Sequence, residues 1–585
     1  MAKTTPMAKP SVGLLTLQVL VFCALTGSLA SAGSIGHVTP RSDLCDSEVY
    51  CQGELLKTIQ LGEVFKDGKT FVDHYQVNDP SVTVANFRKL MAETGGKPNK
   101  DQLTQYVKEN FAQENEVIDW SPPDWQENPE FLQRVQDPVF RKWAKDLNDV
   151  WKIISRKVAP SVAEHPERHS IISVDNGFIV PGGRFQEFYY WDSYWVMEGL
   201  LLTGMKNTSR GILENFLSMV TRFGFIPNGG RVYYLMRSQP PLLIPMVDLY
   251  LTHTGDMQFL RDNIGTLEKE LGYFLSQKTV DVTKNGKTYK MARYIVSSNG
   301  PRPESYREDY ELAKNINDEA EKRRFYEDLK AAAESGWDFS SRWYISENGT
   351  RGSLSNIATR NIIPVELNAF LQRNARMLAQ FHTTLGNPTK AKYYKDIATS
   401  YQQAIDDVLW SESEGVWLDF DLRNSQHRNY FFPTNVAPLY TQSFDSSKAQ
   451  IYGQRAAAYL TRNGILDYMG GTPASLFPTG EQWDLPNAWP PLQSIIVQAL
   501  RNSNEESAEK LAKELAIRWL RANHKGYSQS GQMFEKYDAL NPGKFGGGGE
   551  YVVQEGFGWT NGVVYEFLNS YPNATPDDNV HMNNN

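Results

Sequence analysis

The feature that most constrains this 585-residue chain is a helical spacing of apolar residues that recurs over most of its length. Between residues 131 and 158, apolar side chains return every three or four positions, which is the spacing of one face of an α-helix. Few windows show the strict alternation of apolar and polar residues that indicates a strand. Similar helical patterns recur at 211–222, 242–253, 257–276, 308–334, 364–384, 389–410, 448–462, 491–502 and 505–522. The spacing predicts about a dozen helices and no large sheet, and Asp256 and Asn387-Pro388 indicate two helix starts.

One large all-α domain is the organisation that this pattern favours. No low-complexity linker divides the chain, and its 41% hydrophobic and 22% charged residues are ordinary for a globular protein. We predict a main domain at 81–570, an irregular segment at 33–80 packed on it, and a polar, disordered tail at 571–585. Successive helical hairpins can close into a double-layered ring, with a pocket built from loops at one end. Periodicity predicts the helices but leaves the closure open.

The first 32 residues are typical of a secretory signal peptide. Lys3 and Lys9 give it a positive start, an apolar run follows at 12–25, and Ala30-Ser-Ala32 is a small-residue cleavage motif. No later stretch is long and apolar enough to span a bilayer, and the C-terminus is polar. We therefore expect a secreted, extracellular protein without a membrane anchor.

Cysteine use, glycosylation motifs and net charge agree with secretion. Cys45 and Cys51 are the two cysteines beyond the signal, and an oxidising compartment could close the short loop between them as a disulfide. Acceptor motifs for N-glycosylation lie at Asn207, Asn348 and Asn573. The formal charge of −8 argues against a nucleic-acid partner.

The stretch 181–195 is rich in aromatic residues that stand next to charges. It opens with a Pro-Gly-Gly turn and contains Arg184, Trp191 and Asp192. Flat apolar rings beside charged groups suit a pocket for a ring-shaped, polyhydroxylated ligand. An aromatic core helix capped by a turn would show the same pattern, so this stretch alone leaves both interpretations open.

Carboxylates beside Trp or Tyr recur in several loops between the predicted helices, which indicates one shared cleft. Cleavage of a glycosidic bond needs one protonated carboxyl for the leaving oxygen, and a second carboxylate that activates water or attacks directly. Burial can keep one acid protonated while hydrogen bonds keep the other ionised. The candidates are Asp192, Glu304, Asp338, Asp484, Glu535 and Glu550. The residues alone do not select among these six.

Other chemistries find less support in the sequence. It has no HExxH zinc motif, no GxGxxG between a strand and a helix, and no GxSxG nucleophile motif. The glycine run at 546–549 is not followed by the Lys-Ser/Thr of a phosphate loop, so we interpret it as a flexible loop. We expect neither a metal nor an organic cofactor.

Four long motifs give the chain a resemblance to a known family. They are the segments 181–194, 482–491, 546–551 and 556–562. With these motifs the sequence resembles the trehalases, family 37 of the glycoside hydrolases, and among them the secreted insect-type enzymes. The resemblance runs from about Cys45 to about residue 570. Gly68, where the family would have Ser, is a small departure away from the catalytic positions.

The resemblance implies an (α/α)6 toroid that hydrolyses the disaccharide α,α-trehalose to two glucose molecules with inversion. It implies that Asp338 is the general acid and Glu535 the general base. The positions that match substrate-binding residues of the family are Arg184, Trp191, Asp192, Asn228, Arg237, Ser238, Gln239, Arg302, Pro303, Glu304, Gly336 and Glu550. The oligomeric state stays open.

Two other classes of protein remain as alternatives. One is a different toroid enzyme, such as an inverting glucosidase of another specificity or a disaccharide phosphorylase. A phosphorylase would replace the base with a phosphate site, and the presence of Glu535 argues against this. The other is an inactive sugar-binding protein, which would lack one of the two acids. Measuring glucose release from trehalose, maltose and sucrose separates these alternatives.

Overall fold

A double layer of α-helices dominates the computed structural model, which describes residues 45–113, 116–298, 300–346, 352–550, 554 and 556–577. The helices of the described residues are α1 (Glu54–Leu61), α2 (Gly68–Val72), α3 (Pro80–Glu93), α4 (Lys100–Asn110), α5 (Pro138–Ile153), α6 (Pro160–Glu164), α7 (Asp192–Leu202), α8 (Lys206–Phe223), α9 (Leu243–Thr254), α10 (Met257–Gln277), α11 (Tyr306–Ala313), α12 (Glu319–Glu334), α13 (Val365–Thr384), α14 (Pro388–Ala404), α15 (Ala437–Thr441), α16 (Ala449–Arg462), α17 (Pro490–Asn502), α18 (Glu506–Ser530) and α19 (Gly558–Ser570).

The inner layer is a closed ring. Helices α7, α9, α13, α15, α17 and α19 each contact the next one, and α19 returns to contact α7. Helices α5, α8, α10, α14, α16 and α18 lie outside, and along the chain each precedes one inner helix. Within the described residues this alternation makes six outer–inner pairs. The predicted (α/α)6 toroid is confirmed, including the closure that periodicity had left open.

Burial explains why the two layers differ in sequence. In the inner helix α17 ten of the thirteen residues are buried, whereas the outer helix α10 buries six of its twenty-one. A helix covered on all sides is apolar around its circumference, and a helix covered on one side needs only an apolar stripe. Asp256 caps α10, and Asn387 caps α14 ahead of Pro388, so both predicted helix starts are confirmed.

A single helix over 131–158, which the apolar stripe predicts, is wrong, because the structure divides this segment into three elements. Residues Glu130–Gln133 form one 3-10 turn, α5 begins only at Pro138, and Ser155–Val158 is a strand. The Asp137 carboxylate accepts hydrogen bonds from two amides of the first turn of α5 and fixes its start. Proline is favourable in the first turn of a helix but cannot continue one, which places the break here.

Short strands connect the helices in antiparallel sheets of two or three strands. Within the described residues they are β1 (Tyr75–Gln76), β2 (Phe111–Ala112), β3 (Val117–Asp119), β4 (Ser155–Val158), β5 (Phe178–Ile179), β6 (Thr279–Lys284), β7 (Lys287–Ala292), β8 (Ile362–Ile363), β9 (Trp410–Ser411), β10 (Val416–Trp417), β11 (Phe420–Asp421), β12 (Gln426–His427), β13 (Asn487–Ala488) and β14 (Tyr537–Asp538). Strand β13 pairs with β14, and this pairing brings the second sequence motif next to the loop that carries Glu535.

The segment 33–80 differs from the irregular structure that the sequence suggested. Its described part contains α1 and α2, and α1 buries Leu55, Leu56 and Ile59. These apolar side chains form a small core together with residues of α3 and α4. The predicted signal peptide at 1–32 lies outside the described residues.

The predicted disordered tail at 571–585 is ordered in its first part. Tyr571 and Ala574 are buried, and the Arg521 guanidinium donates hydrogen bonds to the carbonyl oxygens of Thr575 and Asp577. Buried side chains and backbone hydrogen bonds tie residues 571–577 to the domain. The remaining tail lies outside the described residues.

Three further features concern export. The structure joins Cys45 and Cys51 in a disulfide, with their Cα atoms 5.9 Å apart. Asn207 and Asn573 are exposed, while Asn348 lies outside the described residues. None of the described helices combines the length and the apolar character needed to cross a membrane.

Candidate active site

The loops that carry the sequence motifs meet because of where they stand in the ring. Each of them leads from the outer layer into an inner helix, and each supplies residues to the same cavity, so they lie at one end of the toroid. The loops are 181–191 before α7, 225–242 before α9, 482–489 before α17 and the described part of 531–557 before α19. The alternation of layers thus gathers residues that are distant in sequence around one opening.

A cavity at this end contains most of the predicted site. Its walls enclose about 670 Å³ of space, part of which is open to solvent. The predicted residues that line it are Arg184, Trp191, Asp192, Asn228, Arg237, Gln239, Arg302, Glu304, Gly336, Asp338, Glu535 and Glu550. Five of the six candidate carboxylates therefore face one space, and the two acids implied by the resemblance are among them.

Asp338 follows α12 and lies in the cavity wall. Burial raises the pKa of Asp338 to about 7; the positive charge of Arg302 acts against this rise, and the negative charge of Glu550 adds to it. The side-chain amide of Gln482 donates a hydrogen bond to the Asp338 carbonyl oxygen, so the second sequence motif holds the backbone of this acid. A carboxyl with such a pKa keeps its proton near neutral pH and can donate it.

Glu535 is held by its own backbone shortly before β14. Its amide donates to the carbonyl oxygen of Gln554 at 3.0 Å. The indole of Trp559 donates to the carbonyl oxygen of Glu535, also at 3.0 Å. Only 2% of Glu535 is exposed, so packing as well as hydrogen bonding sets the position of its carboxylate in the cavity.

Arg237 and Glu304 form a buried ion pair on the cavity wall, with Nη2 donating to Oε1 at 2.7 Å. Nε of Arg237 donates to Oδ1 of Asn228 at 2.8 Å. Burial acts to raise the pKa of Glu304, but the guanidinium groups of Arg237 and Arg302 outweigh it and lower the pKa. Among the described residues, Nη1 of Arg237 and Oε2 of Glu304 have no hydrogen-bond partner. A donor beside an acceptor suits a sugar hydroxyl, which can accept and donate at once.

Arg302 carries a second ion-pair network into the cavity. Its Nη2 donates to Oδ1 of Asp309 at 2.6 Å and to Oε1 of Glu550 at 2.7 Å. The Ser305 hydroxyl donates to the other oxygen of Glu550 at 3.0 Å. Glu550, at the end of the glycine-rich loop, is therefore anchored to the part of the wall that carries Arg302. This network fixes two charges that act on the pKa of Asp338.

Aromatic rings form a large part of the wall. Trp483 stacks on Trp489 with ring centroids 3.9 Å apart, and Trp191 lies against Trp483 and Trp559. The amide of Trp191 donates to Oε1 of Gln239 at 3.0 Å, which accounts for the position of this predicted residue. Indole faces shield the acids from water and offer flat apolar contact to a sugar ring.

Gly336 is needed because the chain passes close to Trp191. Its φ of +80° is left-handed, and a Cβ built there would lie 2.7 Å from the Trp191 ring. Only glycine accepts this conformation and this approach without strain. The glycine that precedes Trp337 and Asp338 thus allows the acid to lie close to the tryptophan wall.

Asp192 begins α7 and faces the same cavity. Burial raises its pKa well above the ordinary value, and the negative charges of Glu535 and Asp338 add to the rise. The charges of Glu535 and Asp338 therefore reinforce the effect of burial on Asp192, which holds its proton more tightly than an ordinary aspartate does.

Three predicted residues do not line the cavity. The Ser238 hydroxyl donates to the Ile226 carbonyl oxygen at 2.6 Å, and the Pro303 carbonyl oxygen accepts a hydrogen bond from Gln60 at 3.0 Å. Asp484 is enclosed by serine and threonine hydroxyls and accepts from a backbone amide at 2.8 Å. Each of the three binds groups that shape the loops around the cavity.

Sequence reasoning missed several groups that the structure brings to the cavity. Trp483, Trp489 and Trp559 line it and stand inside the sequence motifs, so their places in those motifs were the available signal. Asp67 and Asp309, which bind Arg184 and Arg302, gave no such signal. Asp67 belongs to the N-terminal segment, outside the ring, and only the fold shows that it reaches the site.

Asp67 holds Arg184 at the mouth of the cavity. Its two carboxylate oxygens accept hydrogen bonds from Nε of Arg184 at 2.8 Å and from Nη2 at 2.7 Å. Asp67 also caps α2, where its Oδ1 accepts from the Lys69 amide at 2.9 Å. The N-terminal segment therefore completes the site by fixing the orientation of an arginine of the first motif.

Asp67→Asn is expected to raise KM for the substrate by roughly three- to tenfold and to change kcat less, because a charge-assisted bidentate contact is weakened. Asparagine caps a helix as well as aspartate does, so α2 should keep its start. Asp79→Asn is the matched control, since Asp79 accepts hydrogen bonds from Nε and Nη2 of Arg168 away from the cavity. An equal effect of both substitutions on KM would contradict the assignment.

Comparisons with known proteins show which proteins the chain is similar to. The model of the family described as Trehalase matches residues 63–572. A trehalase of Tenebrio molitor is 51% identical over 545 residues, which cover 93% of this chain and 98% of that protein. A trehalase of Homo sapiens is 46% identical, with 90% of both chains covered. The structure of the neutral trehalase from Saccharomyces cerevisiae matches with a TM-score of 0.55 and 22% identity, covering 67% of this chain and 73% of that one, which is a likeness of fold.

Proposed function

The chain belongs to the trehalase family of glycoside hydrolases, and we propose that Asp338 and Glu535 carry out its reaction. That reaction is the hydrolysis of α,α-trehalose to two glucose molecules. The observation that carries the assignment is that both acids line one cavity, in which burial raises the pKa of Asp338 to about 7. A pair of acids in which one is protonated and the other can accept a proton is what an anomer-inverting hydrolysis requires.

In the proposed mechanism Asp338 gives its proton to the glycosidic oxygen as the bond to the anomeric carbon breaks. Glu535 takes a proton from a water molecule, which attacks the anomeric carbon from the opposite face. The hydroxyl groups of the reacting glucose bind to Arg237 and Glu304, which line the cavity. The tryptophan wall excludes bulk water, which strengthens these polar contacts.

The stereochemistry of the products tests this proposal. Inversion at one anomeric carbon gives one β-glucose and one α-glucose from each trehalose, because the second carbon keeps its bond to oxygen. Proton NMR of a fresh reaction should therefore show both anomers in equal amounts before mutarotation mixes them. Products that contain α-glucose alone would refute the proposed base role of Glu535.

Glu550→Gln is expected to move the alkaline limb of kcat/KM to lower pH. For the wild type, kcat/KM should fall about tenfold per pH unit above about 7, because Asp338 must hold its proton. The charge of Glu550 raises the pKa of Asp338, so its removal lowers that pKa and brings the fall to lower pH. A pH–rate profile of both proteins at subsaturating trehalose measures the shift.

The substitution Glu308→Gln is the control for this profile. Glu308 and Glu550 both line a neighbouring cavity beside the glycine-rich loop, but Glu308 does not line the catalytic cavity. Its profile should coincide with that of the wild type. A shift to higher pH in Glu550→Gln would show that Glu550 does not act on the acid as proposed.

We also propose that the protein is secreted and N-glycosylated. The signal-like residues 1–32, the disulfide between Cys45 and Cys51 and the exposed acceptors Asn207 and Asn573 support this proposal. Expression in insect cells should yield protein in the medium that begins near residue 33 and loses mass on treatment with a peptide N-glycosidase. Retention of an intact N-terminus inside the cells would contradict it.

A further inference from the structure

A second cavity lies inside the ring and shares no lining residue with the catalytic cavity. It offers about 320 Å³ of space, which is at the lower end of the usual range for small-molecule sites. Its lining comes from five inner helices, α7, α13, α15, α17 and α19. We call it the lower cavity.

The lower cavity is displaced from the catalytic cavity along the ring axis. Asp192, at the first position of α7, faces the catalytic cavity, while Glu198 on the same helix faces the lower one. Six residues of helix correspond to a rise of about 9 Å. Asn502 and Ser570, at the far ends of α17 and α19, also line the lower cavity, so it reaches toward the opposite mouth of the toroid.

A buried arginine with unmet donors points to a ligand. Arg373 lines the lower cavity and is only 6% exposed. Its guanidinium lies over the ring of Tyr440, 5.1 Å from the ring centroid. Among the described residues, however, its Nε and Nη2 make no hydrogen bond of good geometry. Buried donors of a guanidinium are costly to leave unmet, so a bound molecule that accepts from them would be stabilised.

Acceptors face the same space. Glu566 is 3% exposed, and its Oε1 accepts a hydrogen bond from Gln498 at 2.5 Å. Its Oε2 makes no hydrogen bond of good geometry among the described residues, although the Ser494 hydroxyl lies near the carboxylate. Glu198 adds a second carboxyl to the lining. Burial raises the pKa of Glu566 to about 7 and also raises the pKa of Glu198, on which the charge of Glu566 acts as well. These carboxyl groups can therefore accept hydrogen bonds or, when protonated, donate them.

The donors and acceptors of the lining narrow the class of ligand. Two arginines, Arg373 and Arg501, share the lining with two glutamates, whose raised pKa values let them meet a hydroxyl group either as donors or as acceptors. Tyrosine, serine and amide groups complete a lining that is polar on most sides. A molecule with several hydroxyl groups can meet guanidinium donors and carboxylate acceptors at once. We propose that the lower cavity is a second binding site, for a neutral polyhydroxylated molecule of the monosaccharide class.

Equilibrium dialysis of the full-length protein against radiolabelled D-glucose tests the proposal. Glu198→Gln and Arg373→Gln should each weaken one class of glucose site by at least about tenfold, because each removes a hydrogen bond to a charged group. The catalytic cavity binds glucose as a product, so the decisive quantity is the difference in the number of bound molecules between wild type and variant. Both variants should keep kcat and KM for trehalose within about twofold.

Glu198→Gln keeps the test valid should Arg373→Gln fail to fold, since Glu198 is only partly buried and glutamine has the same shape. Glu514→Gln, on the outer helix α18, is the matched control. Identical glucose binding by wild type and both variants would overturn the proposal and leave the lower cavity as a space for water. Displacement of the glucose by labelled acetate would also overturn it, because the site would then select an anion. A loss of bound glucose that is matched by an equal loss of trehalose turnover would place the lost molecule in the catalytic cavity and overturn it too.

Discussion

Asp338→Asn is expected to lower kcat for trehalose by about 10²- to 10⁴-fold, which is the usual contribution of a general acid. Asparagine has nearly the same shape but no proton to give to the glycosidic oxygen. The leaving glucose must be protonated as it departs, so the variant should cleave the glycosidic bond slowly. Steady-state release of glucose, measured at saturating trehalose, gives the size of the loss.

A substrate that needs no acid separates this role from a structural one. The fluoride of α-glucosyl fluoride departs without protonation, so Asp338→Asn should hydrolyse it at close to the wild-type rate. Equal losses on trehalose and on the fluoride would mean that Asp338 holds the site in shape and does not act as the acid.

The stability of the same variant provides a third measurement. In the folded protein the pKa of Asp338 is raised from an ordinary 3.8 to about 7, so the folded state binds this proton more tightly than the unfolded state. The contribution of Asp338 to stability therefore falls as the pH rises between about 4 and 7. Asp338→Asn removes this dependence, and its Tm relative to wild type should rise between about pH 4 and pH 7. A Tm difference that does not change with pH would indicate an acid that is ionised throughout.

Helical content was predictable because it follows from local periodicity, whereas the break at Pro138 and the two helices of the N-terminal segment were not. An apolar stripe does not show where a helix cap and a proline interrupt it. Here the Asp137 side chain caps α5 and thereby fixes where the helix begins. Closure of the ring depends on contacts between helices as distant as α7 and α19, on which local spacing carries no information.

Site residues that belong to the sequence motifs were predictable, whereas residues whose role depends on a tertiary contact were not. The sequence presented Asp484 and Asp338 as equal candidates, because each is an aspartate that follows a tryptophan. The structure separates them by environment: hydroxyl groups surround Asp484, and Asp338 faces the cavity. The role of Asp67 was not predictable, since it depends on a contact with Arg184, 117 residues away.

The lower cavity was not predictable from the sequence either. Glu198, Arg373 and Glu566 each lie inside a helix, where a charged residue is ordinarily solvated. Their convergence follows from the closure of the inner ring, which turns one face of each inner helix toward a common axis. Polar residues on that face therefore have to satisfy one another or a ligand.

Glu535→Ala is expected to lower kcat for trehalose by about 10²- to 10⁴-fold as well, but with a different pattern across substrates. Without the base, water is not activated, and attack on the anomeric carbon slows however good the leaving group is. Hydrolysis of α-glucosyl fluoride should thus fall together with that of trehalose. This is the opposite of what is expected for Asp338→Asn, and fluoride release measured with an ion-selective electrode shows the contrast.

Azide should restore activity to Glu535→Ala. It is an anion that can attack the anomeric carbon without losing a proton, so it needs no base. The shortened side chain also leaves room for it. With α-glucosyl fluoride as substrate, azide should restore fluoride release and yield β-glucosyl azide, since attack comes from the face opposite the leaving group. Formation of α-glucosyl azide would instead show that a second displacement intervenes, and an absence of rescue together with normal binding of trehalose would assign Glu535 to positioning. The anomer formed therefore reports on which side of the sugar the base of this protein stands.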